Sequence, residues 1–561
     1  MSTSEQIGVV VGGSLTKSLE VRLDAGHSAQ LGQYVMTPLD DETRLLGMVT
    51  DVLLQSAESG PTAWPPPAGD DPGSRLLREV LLDTGVYTAI EVNPYLEVRA
   101  AGESTRARRL PRHFARVALA DQDALDRAFD TGDRPAISLG TPLGMADIQV
   151  AVDLERLFER SAGIFGKSGT GKTVLALQIL DAMVANSARS ATNRDRNVAL
   201  IFDMHNDYGW GLKFQGDGGG ERRSLKQRHP SDVSVYSLDA NAPNVDGLVV
   251  IGTRDIEPED LAILQSTAYF TSLAVEASYE LRSRFGRDWI DELMADDPSP
   301  AVIRRCSLDD GEEAASWARV ANKIGIASGS LDSLRRGLRR IVRREFVQSG
   351  GNQFNQVIDH IVQTLQGGKS VVIQFGARHG SDLTSYMLVA NMLSRRIWEE
   401  YRAAMEKAAG DVSKEPDRLV IVIEEAHKFI DRALAGQSIF GQIARELRKY
   451  NVTLLVIDQR PSQIDPEVLS QIGTRFCLQL DSEADVEALV SGMSGRAGLR
   501  QVIASLESKQ QALVFGHALP MPVVVRPPDL TRDSAPGASL RTRLGATEAQ
   551  SAPATPRGLY G

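Results

Sequence analysis

Cysteine is scarce: Cys306 and Cys477 are the only two in 561 residues. One pair cannot build a disulfide framework or a multi-cysteine zinc site, and it fits a reducing cytosol. Long apolar runs are missing as well. No stretch approaches the ~18 residues of a membrane span, and the opening MSTSEQ carries no basic-then-apolar leader. Positive charge is in deficit, 62 Lys+Arg against 73 Asp+Glu for a net −11, which excludes a general cationic coat for nucleic acid. A local basic channel survives that deficit, because salt screens exposed charges beyond roughly 8 Å. No internal repeat is visible. What is present is a globular balance, 42% hydrophobic and 24% charged, in a length that suits several domains at about 150 residues each. The expectation is a soluble, cytoplasmic, multidomain protein.

The chain changes texture along its length. Ile7 to Val11, Leu19 to Leu23, Gly47 to Leu54 and Val86 to Val98 are short, β-rich and broken by turns, the pattern of a small barrel. A break at Ser56 to Ser74 holds Trp64-Pro65-Pro66-Pro67, too proline-rich for an element. From about residue 140 strands alternate with amphipathic helices, which predicts a parallel sheet with crossovers. Val198 to Phe202, Leu419 to Ile423 and Val452 to Ile457 are near-continuous apolar runs, as central strands covered on both faces require; Ser370 to Phe375 is a fourth. Residues 256–366 are helical in pattern. The last 33 residues hold 20 Ala, Gly, Pro, Ser or Thr, a composition that cannot support a core. The predicted domains are a barrel at 1–115, an ATPase core in two parts at 116–255 and 367–528, a helical insertion at 256–366, and a flexible tail at 529–561.

The strongest local signal is Gly166-Lys167-Ser168-Gly169-Thr170-Gly171-Lys172-Thr173. It follows the apolar Gly163-Ile164-Phe165 and opens a helix whose apolar face is Val174, Leu175, Leu177, Leu180 and Val184. Glycines let backbone N–H groups turn inward around a phosphate, and the helix terminus adds its positive dipole end. Gly166, Ser168, Gly169, Thr170, Gly171, Lys172, Thr173 and Val174 are the predicted ATP-binding residues. Lys172 would contact the β- and γ-phosphates, and Thr173 would ligate Mg²⁺. The Leu419 to Ile423 strand then delivers Glu424-Glu425-Ala426-His427 at its C-terminal edge, where such sheets bind ligands. Glu424 would hold Mg²⁺ through water and Glu425 would act as general base. A third strand ends at Asp203, and a fourth ends in Asp458-Gln459-Arg460-Pro461, placing Gln459 to sense the γ-phosphate or orient water.

In order and spacing these motifs resemble the HerA family of hexameric DNA translocases, in the FtsK–HerA group of P-loop ATPases. The resemblance spans most of the chain. It starts with Gly32-Gln33-Tyr34-Val35 and Leu46-Gly47-Met48-Val49 in the barrel, and continues through Arg160 and Asp203 to Tyr208. Glu424 to His427, Ile443 to Tyr450, Gln459-Arg460-Pro461 with Asp465 to Gln471, Ala512 to Gly516 and Pro520 to Val523 complete it. There are two departures: Leu447 stands where the family often has Gly, and Asn206 and Asp207 replace the commoner Gly and Glu. The resemblance implies an α/β RecA-like P-loop ATPase core with an N-terminal small β-barrel and an inserted helical bundle. It also implies a homohexamer binding ATP between subunits, with Arg448, Arg445 and Arg160 matching the family's active-site arginines. Together with Glu425, Lys172, Gln459 and Asp203 they form the predicted catalytic set.

The activity so implied is ATP-driven translocation of double-stranded DNA, with a partner that supplies the cutting. That partner would be a NurA-type nuclease in end processing, or a nuclease or sirtuin-like effector in anti-phage defence. A nucleotide-stabilised ring that activates an effector without translocating is the competing reading. A membrane-bound conjugation motor is disfavoured by the absence of any spanning run. For DNA binding, the loop after Asp203 carries Arg222, Arg223, Lys226 and Arg228 beside glycines, as a mobile pore loop needs. A second basic run, Arg335, Arg336, Arg339, Arg340, Arg343 and Arg344, shares adjoining helix stripes and could bind DNA, pair with acids of the insertion, or face water.

Overall fold

A computed structural model describes residues 5–56, 71–81, 85–99, 104–132, 134–145, 148–190, 196–210, 214–215, 221–308, 316–351, 353–379, 382–432, 434, 436, 438–446, 449–493, 495–528, 535, 537–538 and 540–541. Two units emerge from how the chain packs. One comprises 1–157, 476–528 and 539–561; the other comprises 158–475 and 529–538.

In the first unit six strands close on themselves. Leu19–Leu23, Gln6–Gly13, Arg116–Leu119, Tyr34–Pro38, Thr43–Ser56 and Val86–Arg99 are neighbours in that order, and the last pairs back onto Leu19–Leu23. All these pairings are antiparallel, and closure gives each of the six strands a neighbour on both sides. Alternation fills the barrel: Leu19, Val21 and Leu23 point inward to meet Ile7, Val10, Val35, Leu45, Val49, Ile90, Val92 and Val117. Gly8 is required by this closeness, since a Cβ there would lie 2.2 Å from the Arg22 carbonyl oxygen. The barrel extends to Leu119, past the expected boundary at 115. The sequence Arg-Val-Ala-Leu is too short to announce a strand, and pairing on both sides makes it one. The segment 476–528, expected within the ATPase core, also belongs to this unit: Val523–Arg526 pairs with Ala136–Pro142.

The second unit is built on seven parallel strands. Their order is Gly247–Leu248, Val233–Ser237, Ser370–Gln374, Asn197–Asp203, Arg418–Glu424, Val452–Asp458 and Ala162–Phe165. Asn197–Asp203 and Val452–Asp458 are buried at every position, which explains their unbroken apolar sequence. Register then lines up the strand ends. Phe165 pairs with Asp458, Ile457 with Glu424, and Asp203 with Gln374. Between Ile251–Gly252 and Ser370–Gln374 lies the helical insertion, with Ser272–Phe285, Ser328–Val342 and Gln353–Gln366 its longest helices. Ser328–Val342 buries Leu331, Leu334, Leu338 and Ile341 on one stripe, the spacing of an amphipathic helix.

Most of the expected tail, 529–561, lies outside the described residues. Its described part is not free: Leu540–Arg541 pairs with Ala136–Pro142, and Gly537 N–H donates to Asp181. Among the described residues no helix is long and apolar enough to cross a membrane.

Candidate active site

The phosphate loop runs from strand Ala162–Phe165 to helix Lys172–Arg189. Gly169 and Gly171 adopt φ of +77° and +100°, a region that glycine occupies without steric cost. Thr170 Oγ1 donates to the Lys167 carbonyl at 2.8 Å. Lys172 Nζ donates to the Gly166 carbonyl at 2.8 Å and the Lys167 carbonyl at 3.0 Å. The Gly166 N–H reaches the Asp458 carbonyl at 3.2 Å, tying the loop to the next strand. Burial lowers the Lys172 pKa, while the carboxylates of Glu425, Asp458 and Glu424 pull it back up. Ser168 is exposed, and Thr173 and Val174 are half-buried in the first turn of the helix.

The acidic edge is two strands away, with Val452–Asp458 between. Glu425 stands at φ +50°, an uncommon conformation for a residue with a side chain and one that concentrates at functional sites. Its Oε1 accepts a 2.6 Å hydrogen bond from Gln459 Nε2. His427 braces this pair: its N–H donates to Asp458 Oδ2 at 2.7 Å, and its Nδ1 lies 3.0 Å from that carboxylate and 3.6 Å from Glu425 Oε2.

Glu424 is held by two tyrosines. Tyr208 donates to its Oε1 at 3.4 Å. The Tyr386 hydroxyl donates to its carbonyl at 2.9 Å and accepts from its N–H at 3.0 Å. Glu424 Oε2 is buried without a hydrogen-bond partner. Burial drives the Glu424 pKa well above the carboxylate range, and the nearby charges of Asp203 and Asp207 add to it. Burial likewise pushes Asp203 and Asp207 up to about 6. A divalent cation fits this setting. It would relieve the like-charge repulsion and give Glu424 Oε2 a partner, and Thr173 and Glu424 offer the hard oxygens that Mg²⁺ prefers. Among the described residues no three His, Cys, Asp or Glu gather into a metal site, so phosphate oxygens would complete the shell.

Asp203 shapes the loop that follows its strand. Its carboxylate accepts the N–H groups of Asp207, Tyr208 and Gly209 at 2.7, 2.9 and 2.8 Å, and so sets the loop that brings Tyr208 to Glu424. Asn206 within that loop has φ +62°, which explains how it stands in for glycine: asparagine tolerates the left-handed region. Tyr386 gives no signal in the sequence, being one aromatic in a helical pattern.

The arginines are dispersed. Arg445 pairs with Glu467 at 3.5 Å. Arg160 is exposed just before strand Ala162–Phe165, at the sheet edge opposite its own phosphate loop. Arg448, like Leu447, lies outside the described residues.

Two of the expected DNA-binding residues are corrected by the structure. Lys226 and Arg228 sit in a short helix, Leu225–Arg228, capped by Ser224 and Gln227, and both are buried. Lys226 Nζ donates to the Val233 carbonyl at 2.7 Å, and Arg228 Nε donates to Asp181 at 2.7 Å. Neither is available to a phosphate backbone. Arg223 is exposed, and the Arg222 side chain lies outside the described residues.

A phosphate loop with a glutamine at the end of the adjacent strand and a glutamate at the end of the strand beyond it defines a P-loop ATPase. The family described as the central domain of helicase HerA matches residues 137–397, and the HAS barrel domain matches residues 7–101. The chain belongs to the HerA family. The DNA double-strand break repair helicase HerA of Pyrococcus furiosus is 22% identical, over 93% of this chain and 92% of that protein. A probable helicase of Methanocaldococcus jannaschii is 21% identical, over 94% and 91%. Among solved structures, the bacterial conjugative coupling protein TrwBdeltaN70 is 15% identical and overlays 74% of this chain and 94% of that one, with a TM-score of 0.45.

Proposed function

We propose that the protein is an ATP-driven translocase of double-stranded DNA, working as a homohexameric ring that feeds a partner enzyme. The observation that carries this reading is the meeting of Lys172, Glu424, Glu425 and Gln459 at one sheet edge of a HerA-family chain. The name of the Pyrococcus furiosus relative, a DNA double-strand break repair helicase, supports the choice of substrate.

In this mechanism Lys172 swings from its carbonyl partners to the β- and γ-phosphates, which offer a full charge in place of two neutral acceptors. Thr173 and Glu424 would hold Mg²⁺, which would neutralise charge on the phosphates. Glu425 takes the proton of the attacking water, with Gln459 fixing the direction of its carboxylate. ADP and phosphate leave. An arginine of the neighbouring subunit, from among Arg448, Arg445 and Arg160, stabilises the γ-phosphate charge. The position of Arg160, on the far edge from its own loop, suits a role in trans.

The partner belongs to the class of nucleases or NAD-consuming effectors that act on or beside DNA, in end processing or antiviral defence. Steady-state ATPase with and without linear duplex DNA tests the reading. Strong stimulation is expected; turnover indifferent to DNA would point to a nucleotide-stabilised scaffold instead.

A further inference from the structure

Lys226 and Arg228 are withdrawn from solvent, but helix Ser328–Val342 and the turn after it carry a run of six arginines. Two of the six serve the fold. Arg335 donates to the carbonyls of Leu293 and Ala295 at 3.0 and 2.7 Å, and Arg344 pairs with Asp382 and donates to Ser385 at 2.8 Å. The other four, Arg336, Arg339, Arg340 and Arg343, are exposed, and among the described residues none of them has a carboxylate partner. Several other arginines of this chain, whose net charge is −11, do find one: Arg109 has Asp40 and Glu97, Arg254 has Asp288, and Arg282 has Glu257.

An aromatic edge completes the face. Arg340 stacks over the Tyr269 ring at 4.9 Å, and Tyr269 is 73% exposed at φ +59°. Its neighbour Phe270 explains the outward turn. Phe270 is buried against Gly337, where a Cβ would stand 2.1 Å from the ring, so the chain must turn outward one residue earlier. The helix dipole favours Arg339 and Arg340 in the last turn, but it gives no reason for Arg336 or for the stacked tyrosine.

We propose that Arg336, Arg339, Arg340 and Arg343, with Tyr269 at their edge, grip the sugar–phosphate backbone of duplex DNA. The inference rests on the translocase reading and names the surface that would serve it. From Arg336 to Arg343 the helix rises about 10 Å, and duplex DNA carries a phosphate every ~1.7 Å of axis, so several phosphates face the four guanidinium groups. Guanidinium groups match phosphate oxygens in paired geometry. A convex helix face of arginines holds the backbone without reading bases, which is what a motor moving over any sequence requires.

The test uses the full chain, a short labelled duplex and a salt series. The variant R336Q/R339Q/R340Q/R343Q should bind at least ~10-fold more weakly. Its plot of log affinity against log salt should be shallower by about 0.9 for each phosphate that the variant no longer neutralises. Basal ATPase should stay at the wild-type level, and DNA stimulation should vanish. Replacing the same four with Lys should retain most binding. If the fourfold Gln variant does not fold, R336Q and R340Q singly should each flatten the slope by about 0.9. Unchanged affinity and slope in a variant of a DNA-binding wild type would overturn this assignment, leave the motor reading intact, and give the face to an acidic protein surface. A wild type that neither binds DNA nor responds to it would overturn both.

Discussion

Glu425 meets two demands that conflict in an ordinary strand end: it must leave the sheet and still aim its carboxylate at one point. The left-handed backbone turn provides the first and the Gln459 hydrogen bond the second. Glu425→Gln preserves shape and removes the base, so ATP should still bind while hydrolysis falls by at least ~100-fold. Filter binding of labelled ATP beside a phosphate-release assay separates the two effects, and near-normal release would refute the assignment. At the opposite sheet edge, Asp417 is buried with neither carboxylate oxygen hydrogen-bonded. Burial lifts its pKa to about 6 against the pull of Arg196. The folded state therefore holds this proton more tightly than the unfolded chain. Its contribution to stability is full below about pH 4 and is lost as pH rises through about 6. Asp417→Asn removes that loss and should be about 2 kcal/mol more stable than wild type near pH 8, with no advantage near pH 4. Denaturant midpoints at the two pH values decide it, and a variant weaker at both would show that the attraction of Arg196 dominates.

Among the elements, the phosphate-loop helix Lys172–Arg189 shows what a sequence conceals. Its back carries Asp181, fully buried, which accepts from Arg228, from the His229 ring at 2.8 Å and from Gly537 N–H at 2.8 Å. Removing one member of such a cluster strands the others, so Asp181→Ala should cost about 3 kcal/mol or more. Adding Arg228→Met should recover part of that loss, and melting curves of the single and double variants test the coupling. The phosphate loop, the two acids and the central strands are legible in the sequence because each advertises itself locally: glycines at fixed offsets, or apolar runs closing on a carboxylate. Arg228 reads as a pore residue only until its partner is known, for Asp181 lies 47 positions away and no local pattern reports such a pairing. Tyr386 and the strand Arg116–Leu119 are invisible for the same reason, since tertiary partners give them their roles. Within the basic run, burial rather than spacing separates Arg335 and Arg344 from the four arginines left in solvent.

For the whole molecule, the decisive question is whether one subunit completes another's site. In a ring, inactive Lys172→Ala subunits mixed with Arg448→Ala subunits should regain some ATPase activity, because some mixed interfaces keep both groups. Native mass spectrometry with ATP should show six copies. A chain that stays monomeric, or mixtures that stay inactive for all three arginines in turn, would refute shared sites. The Tyr386 hydroxyl, which clasps both backbone groups of Glu424, ties the site to a much longer element. Tyr386 sits at the start of Leu383–Ala408, a 26-residue helix and thus a rod about 39 Å long. Farther along the same rod, Trp398 meets Tyr450 edge-on at 6.1 Å and lies under Arg402 at 5.1 Å. Optically, the motor therefore carries its own gauge. If the Glu424 strand end shifts with the nucleotide, Tyr386 would pass that shift to the rod and change the surroundings of the indole. Tryptophan emission should then step between ATP- and ADP-loaded protein, and Trp398→Phe should shrink that step while leaving turnover unchanged.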